Sequence, residues 1–138
     1  MKQFIETIEI NSDGKMLKEI TSEVESVTQV SKIENGLLNL SISHTTASLV
    51  IQENADPDVL KDLENFFEKM VPISSEYKHT IEGSDDMPAH IKSSITNSNL
   101  TLSIINKKLK LGCWQGIFLF EHRVARRERT IQVHILGQ

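Results

Sequence analysis

The chain has 138 residues, of which 38% are hydrophobic and 25% charged, and a formal net charge of −4; a single globular domain over residues 1–138 is expected, since one domain commonly holds roughly 100–200 residues. No run of about 18 apolar residues offers a membrane span, and the amino terminus M-K-Q-F-I-E-T-I carries acid and amide where a signal peptide needs an apolar centre. The single Cys113 has no partner for a disulfide or a C-x-x-C metal pair, so a cytoplasmic protein that meets no membrane is expected.

Taken in order, I-E-T-I-E-I from Ile5 to Ile10 alternates imperfectly and runs into the turn N-S-D-G at 11 to 14, which predicts a strand and then a turn. Ser22-x-x-Glu25 has the form of a capping box, with Ile20, Val24, Val27 and Val30 spaced for one face of a short helix that ends before Asn35-Gly36. From Leu38 the alternation is clean: Leu38, Leu40 and Ile42 share one face, and counting by two puts His44 on it. In S-L-V-I-Q-E-N the same count places Glu53 beside Leu49 and Ile51. A carboxylate ending an apolar row needs a partner, because a buried charge is costly without one.

Asp56-Pro57 supplies a carboxylate cap and a proline at the first helical position. Val59, Leu60, Leu63, Phe66, Phe67 and Met70 then form a core-facing stripe, and Pro72 stops the helix. Residues 73 to 86 have no periodicity and read as a long loop, a common place for function. A further helix is predicted from about Asp86, with Pro88 in its first turn and Met87, Ile91 and Ile95 on one face beside His90. Extended segments at Leu100 to Ile105, Leu111 to His122 and Thr130 to Leu136 follow. The middle one is apolar on both faces and reads as a central strand. Strands therefore dominate, packed with two or three helices.

Three of the five histidines lie in dense polar runs: H-T-T-A-S at 44 to 48, Y-K-H at 77 to 79 and G-S-D-D-M-P-A-H at 83 to 90. Imidazole is both the commonest metal ligand and the side chain that titrates nearest neutrality. His44, His79 and His90 with Asp85 and Asp86 are therefore the candidate catalytic groups, and His44, His79, His90 and Asp86 the candidate metal ligands. Helical spacing puts Asp86 and His90 on one face. Neither H-E-x-x-H nor a cysteine pair is present to choose the metal. Each feature has a plainer reading too: the aspartates as helix caps, His44 as a hydrogen-bonded core residue, His122 and His134 as solvated strand-end residues.

The charge is unevenly spread, with 7 lysines against 17 acids through His90 and 8 basic residues against 2 acids beyond it. All four arginines fall in R-V-A-R-R-E-R at 123 to 129, where guanidinium forks suit phosphate, although a solvated loop fits as well. Nucleic acid is not an expected partner of a chain this acidic, with Trp114 the one indole near its basic stretch. In G-C-W-Q-G, two glycines around an indole and an amide suit close backbone approach or the wall of a planar ligand.

The runs H-T-T-A-S-L-V-I-Q-E-N-A-D-P, Y-K-H-T-I-E-G-S-D-D-M-P-A-H-I-K-S-S and L-G-C-W-Q-G-I-F-L-F-E-H-R resemble the YjbQ family of small bacterial and archaeal proteins, also called secondary thiamine-phosphate synthases. The resemblance covers nearly everything from Gly36 onward. It implies an α+β, β-rich sandwich-like fold with mixed or antiparallel sheets, a homotrimer, and a site at His44, His79, Asp85, Asp86 and His90. It also implies the joining of a hydroxymethylpyrimidine pyrophosphate to a thiazole phosphate with release of pyrophosphate. For that reaction, charge assigns Mg2+ and pyrophosphate to Asp85, Asp86 and Glu53 and phosphate to Arg123, Arg126 and Arg127, and Trp114 is expected to stack on a ring. Thr45, Thr46 and Gln115 complete the expected contacts to a small phosphorylated heterocycle. A hydrolase with Zn2+ at the histidines and a trimeric binder without catalysis are the alternatives.

Overall fold

The computed structural model describes all 138 residues as eight strands and three helices. They are β1 (Lys2–Ser12), β2 (Met16–Glu19), α1 (Thr21–Ser31), β3 (Gly36–Ile42), β4 (Ala47–Glu53), α2 (Pro57–Met70), α3 (Asp86–Ile95), β5 (Asn99–Ile105), β6 (Lys108–Leu109), β7 (Gln115–Glu121) and β8 (Arg127–Gly137). Every strand pairing is antiparallel. One sheet runs β1-β8-β3-β5-β6 and the other β2-β7-β4. No helix is long and apolar enough to cross a membrane.

Period-two alternation explains how the sheets share one core. Leu38, Leu40 and Ile42 of β3 and Ile131, Val133 and Ile135 of β8 meet Ala47 and Leu49 of β4 and Ile117 and Leu119 of β7 in a single buried cluster. The intervening residues of β7, Phe118 and Phe120, point the other way and join Leu17 under Leu60, Leu63 and Phe67 of α2. β7 is thus covered on both faces, as its two-sided apolar sequence predicts, and it is the middle strand of the smaller sheet.

Several expectations are corrected by packing. The capping box is not formed: α1 begins at Thr21 with no side-chain cap, and Ser22 bonds its neighbour Glu23 instead. Thr28 takes the buried position on α1, while Val30 is exposed. α2 begins as expected, with Asp56 accepting from the Asp58 amide at 2.9 Å. Phe66 and Met70, however, face outward, 57% and 46% exposed, because α2 lies on the outside of the smaller sheet and only Leu60, Leu63 and Phe67 reach it. In α3 the buried residues are Asp86, Pro88, Ala89 and Lys92, and Ile95 is exposed. The short strands β2 and β6 lie in stretches to which the sequence assigns no element.

A buried ion pair ties the sheets together where β7 crosses to β8. Arg129 meets Glu121 with two donors, Nε to Oε1 at 2.7 Å and Nη2 to Oε2 at 2.5 Å. Ser12 adds a bond at 2.6 Å, and the amides of His122 and Arg123 donate to Oε2. Arg129 Nη2 also reaches the Thr46 carbonyl and hydroxyl. Burial alone raises the Glu121 pKa, but Arg129, Ser12 and the Arg123 amide outweigh it and hold the group below its ordinary value. Breaking one side of such a pair strands the other charge. Arg129→Met is therefore expected to lower the unfolding free energy by about 3–5 kcal/mol, read from urea denaturation; a loss below about 1 kcal/mol would show that the fork is dispensable.

Candidate functional site

The amino-terminal turn of α3 gathers most of the polar chemistry. Asp85 does not cap the helix; its Oδ2 accepts from Arg123 Nε at 3.0 Å and from the Val124 amide at 2.9 Å. Asp86 sits in the first turn, where the helix dipole favours a carboxylate, and its two oxygens do different work. Oδ1 accepts from Arg123 Nη1 at 2.5 Å, while Oδ2 faces His79 Nε2 at 2.5 Å and His90 Nε2 at 3.2 Å. His90 arrives by the i, i+4 spacing. His79 arrives through the loop before α3, which Gly83 turns with a φ of +110° that a side chain rarely adopts.

The ligating atoms of His79, Asp86 and His90 all lie within 4.8 Å of one another. Asp86 is buried, but the imidazole side chains are 39% and 33% exposed, so the cluster opens to solvent on one side. Burial pushes the Asp86 carboxyl up; the His79 hydrogen bond, the Arg123 charge and His90 together hold it below its ordinary value. An ionised carboxylate only accepts, so each imidazole presents an Nε2 proton to it. Those are the positions a metal ion would take.

The remaining expected residues do not join this cluster. His44 lies elsewhere: its Nε2 accepts from the Thr130 amide at 2.8 Å, and burial, then Arg129, lower its pKa against Glu121 and Glu9. The four-ligand set is thus reduced to three, because β3 ends at Ile42 and the chain turns His44 toward β8. Glu53 ends β4 opposite Gln115 and accepts from the Asp56 amide at 3.3 Å, far in role from a magnesium ligand. Thr45 is exposed, and Thr46 is spent on Arg129. Trp114 is 65% exposed, and the Gln115 side chain accepts from the Gly112 amide.

Arg123 is corrected from phosphate ligand to scaffold. Its Nε, Nη1 and Nη2 go to Asp85, Asp86 and the Glu82 carbonyl, and its side chain is 8% exposed. The Asp85 carboxyl, pushed up by burial, is held low by the Val124 amide and by Arg123. Arg126 is 83% exposed and pairs with Asp13, and Arg127 is half-buried with no partner for its Nε.

The comparisons with known proteins agree with this architecture. A family model described as "UPF0047 protein YjbQ-like" matches residues 6–138. The chain belongs to the YjbQ/UPF0047 family. A UPF0047 protein of Synechocystis is 46% identical over 99% of this chain and 94% of its own, and the UPF0047 protein YjbQ of Salmonella typhimurium is 41% identical over 96% of each. Among solved structures, a YbjQ-like protein of unknown function from Sulfolobus solfataricus superposes with a TM-score of 0.87 at 27% identity, covering 99% of this chain and 100% of that one. An uncharacterised yjbq/upf0047 family protein from Clostridium acetobutylicum gives 0.84 at 37% identity, covering 94% and 99%. These YjbQ relatives are named only as family members or as proteins of unknown function. The expected thiamine-phosphate synthase activity is corrected accordingly. The geometry runs the same way, since Asp85 and Arg123 are consumed by each other rather than offered to a pyrophosphate.

One group was missed. His122, which the sequence reads as solvated, is 1% exposed, with Nε2 2.9 Å from Ser48 Oγ. Counting by two from Phe118 and Phe120 places it on their buried face, a signal present in the sequence. Burial first, then the Lys92 charge, pushes its pKa down to about 3. The folded protein keeps this ring neutral while the unfolded chain protonates it near pH 6.5, so stability is full above about 6.5 and erodes as pH falls toward 3. The low-held carboxylates Asp85, Asp86, Glu68 and Glu121 add their loss only below about pH 4. Thermal unfolding against pH should show the melting temperature declining from about pH 6.5, with a second, steeper fall below 4. His122→Gln should flatten most of the upper part, His44 accounting for the remainder; an unaltered profile would contradict the assignment.

Proposed function

We propose that the protein binds one divalent transition-metal ion at His79, Asp86 and His90 and uses it to polarise the oxygen of a small, oxygen-rich ligand such as a phosphorylated heterocycle. The observation that carries this is the meeting of two imidazoles and one carboxylate oxygen on the solvent-facing side of α3. Two nitrogens and one oxygen suit Zn2+, Co2+ or Fe2+, whereas Mg2+ prefers oxygen ligands throughout. Zinc with bonds of about 2.0–2.2 Å sets neighbouring ligands about 3.3 Å apart, so His79 and Asp86, now at 2.5 Å, need to part by less than an ångström. The proton each imidazole lends to Asp86 moves to Nδ1 or leaves as the ion enters.

Arg123 is the outer partner of the site. By holding Asp86 Oδ1 it aims Oδ2 at the histidines, the role that hydrogen-bonded partners of ligating carboxylates commonly play. Three protein ligands leave positions open for water or ligand, the arrangement of metal sites that act as Lewis acids.

Homotrimer assembly and a cytoplasmic location belong to the same proposal. Assembly is supported by apolar side chains left bare on the outer face of the larger sheet, where Ile5, Leu37, Ile105 and Leu136 are 43–58% exposed; contiguous exposed apolar surface usually marks an interface. The location rests on Cys113 having no disulfide partner.

Isothermal titration of the metal-free protein with Zn2+ and Co2+ is expected to give one ion per chain. His79→Ala, His90→Ala and Asp86→Asn should each weaken binding by more than about 100-fold, and Arg123→Lys by roughly 10–100-fold, the usual effect of an outer partner. His44→Ala should bind as the parent does. Equal binding by all variants would refute the site.

A further inference from the structure

On the opposite side of α3, between α2 and the end of β7, lies a second polar cavity of 170 Å³ whose walls include Lys15, Glu64, Glu68, Lys92, Phe120 and His122. It holds about five or six water volumes at roughly 30 Å³ each. Two of its buried groups, Lys92 and His122, are unusual. Lys92 is 2% exposed and reaches Glu68, whose side chain is 45% exposed and also pairs with Lys15 at 3.1 Å. The cation is therefore fixed inside, and its counter-ion is an arm that extends from solvent.

His122 faces the same cavity with its Nδ1 buried and without a partner. The neighbouring hydroxyls settle which proton it carries. Thr96 Oγ1 lies 2.7 Å from the Lys92 carbonyl and 2.6 Å from Ser48 Oγ, but has one proton to give. The carbonyl only accepts, so every group is satisfied when Thr96 donates to Lys92, Ser48 to Thr96, and His122 Nε2–H to Ser48. That chain leaves Nδ1 as a bare, buried lone pair on a ring that lines the cavity. A buried acceptor with nothing to accept is costly, and protonation does not relieve it, since burial and Lys92 keep the ring neutral.

We infer that this cavity binds a small carboxylate bearing a hydroxyl or amine donor on the adjacent carbon. The carboxylate displaces the Glu68 arm from Lys92 and Lys15, and the donor satisfies His122 Nδ1. Glu68 occupies the anion position in the empty protein and so competes with the ligand. Ser48, fully buried, orients the imidazole and meets no ligand.

The test is an NMR titration of the full-length protein, 15N-labelled at histidine, with glycolate and glycine, and with acetate as the control that lacks the donor. Glycolate or glycine is expected to shift the His122 Nδ1 resonance and acetate to leave it in place. Glu68→Gln should tighten binding by about tenfold, and Lys92→Met should abolish it while the melting curve stays cooperative. His79→Ala should bind unchanged, which separates this site from the metal site. An Nδ1 resonance unmoved by millimolar glycolate and glycine, or binding that survives Lys92→Met, would overturn the inference.

Discussion

The fork between Glu121 and Arg129 is the constraint on which the other polar contacts rest. It joins the smaller sheet to the larger one at the point where the chain leaves β7 for β8, with the carboxylate fully inside. Because Glu121 must face the core between the sheets, His122 is turned to the α2 side and Arg123 is delivered to α3. Three consecutive residues thus fix the sheet junction, the wall of the second cavity and the scaffold of the histidine cluster. Arg123 then does for α3 what Arg129 does for β7. With Asp85 and Asp86 it pins the first turn of a helix that has no side-chain cap of its own.

This arrangement is what would suit Asp86 to the proposed ion. A buried carboxylate contacted by a guanidinium on one oxygen is already charged and oriented before any ion arrives, so little reorganisation is left. Its second oxygen meets two rings that differ in how they are held. His90 is carried by the helix itself, whereas His79 comes from an irregular loop that depends on the turn at Gly83. The lysine on the far side of the same helix makes α3 the shared wall between two polar sites, which accounts for its burying Asp86 and Lys92 in place of Met87 and Ile95.

Much of this was legible in the sequence where local rules govern. Asp56-Pro57 and the stripe after it announced α2, and alternation announced β3, β4 and the two-sided β7. The pairing of Asp86 with His90 followed from helical spacing alone. What local rules missed was set by partners distant in the chain. Nothing near Asp85 or Asp86 says that Arg123, 37 or 38 residues on, will claim them. His44 and His79 sat in equally polar runs, yet only the fold decides that one turns to Thr130 and the other to Asp86. The outward turn of Phe66 and Met70 likewise depends on what α2 packs against, which periodicity alone does not tell.

The central claim is that His79, Asp86 and His90 are ligands of one ion. A crystal grown with Zn2+ and measured on both sides of the zinc absorption edge tests it most directly. An anomalous peak about 2.0–2.2 Å from both Nε2 atoms and from Asp86 Oδ2, with Arg123 still on Oδ1, is the predicted result. A cluster with no peak, its imidazoles still hydrogen-bonded to Asp86 at saturating zinc, would contradict it.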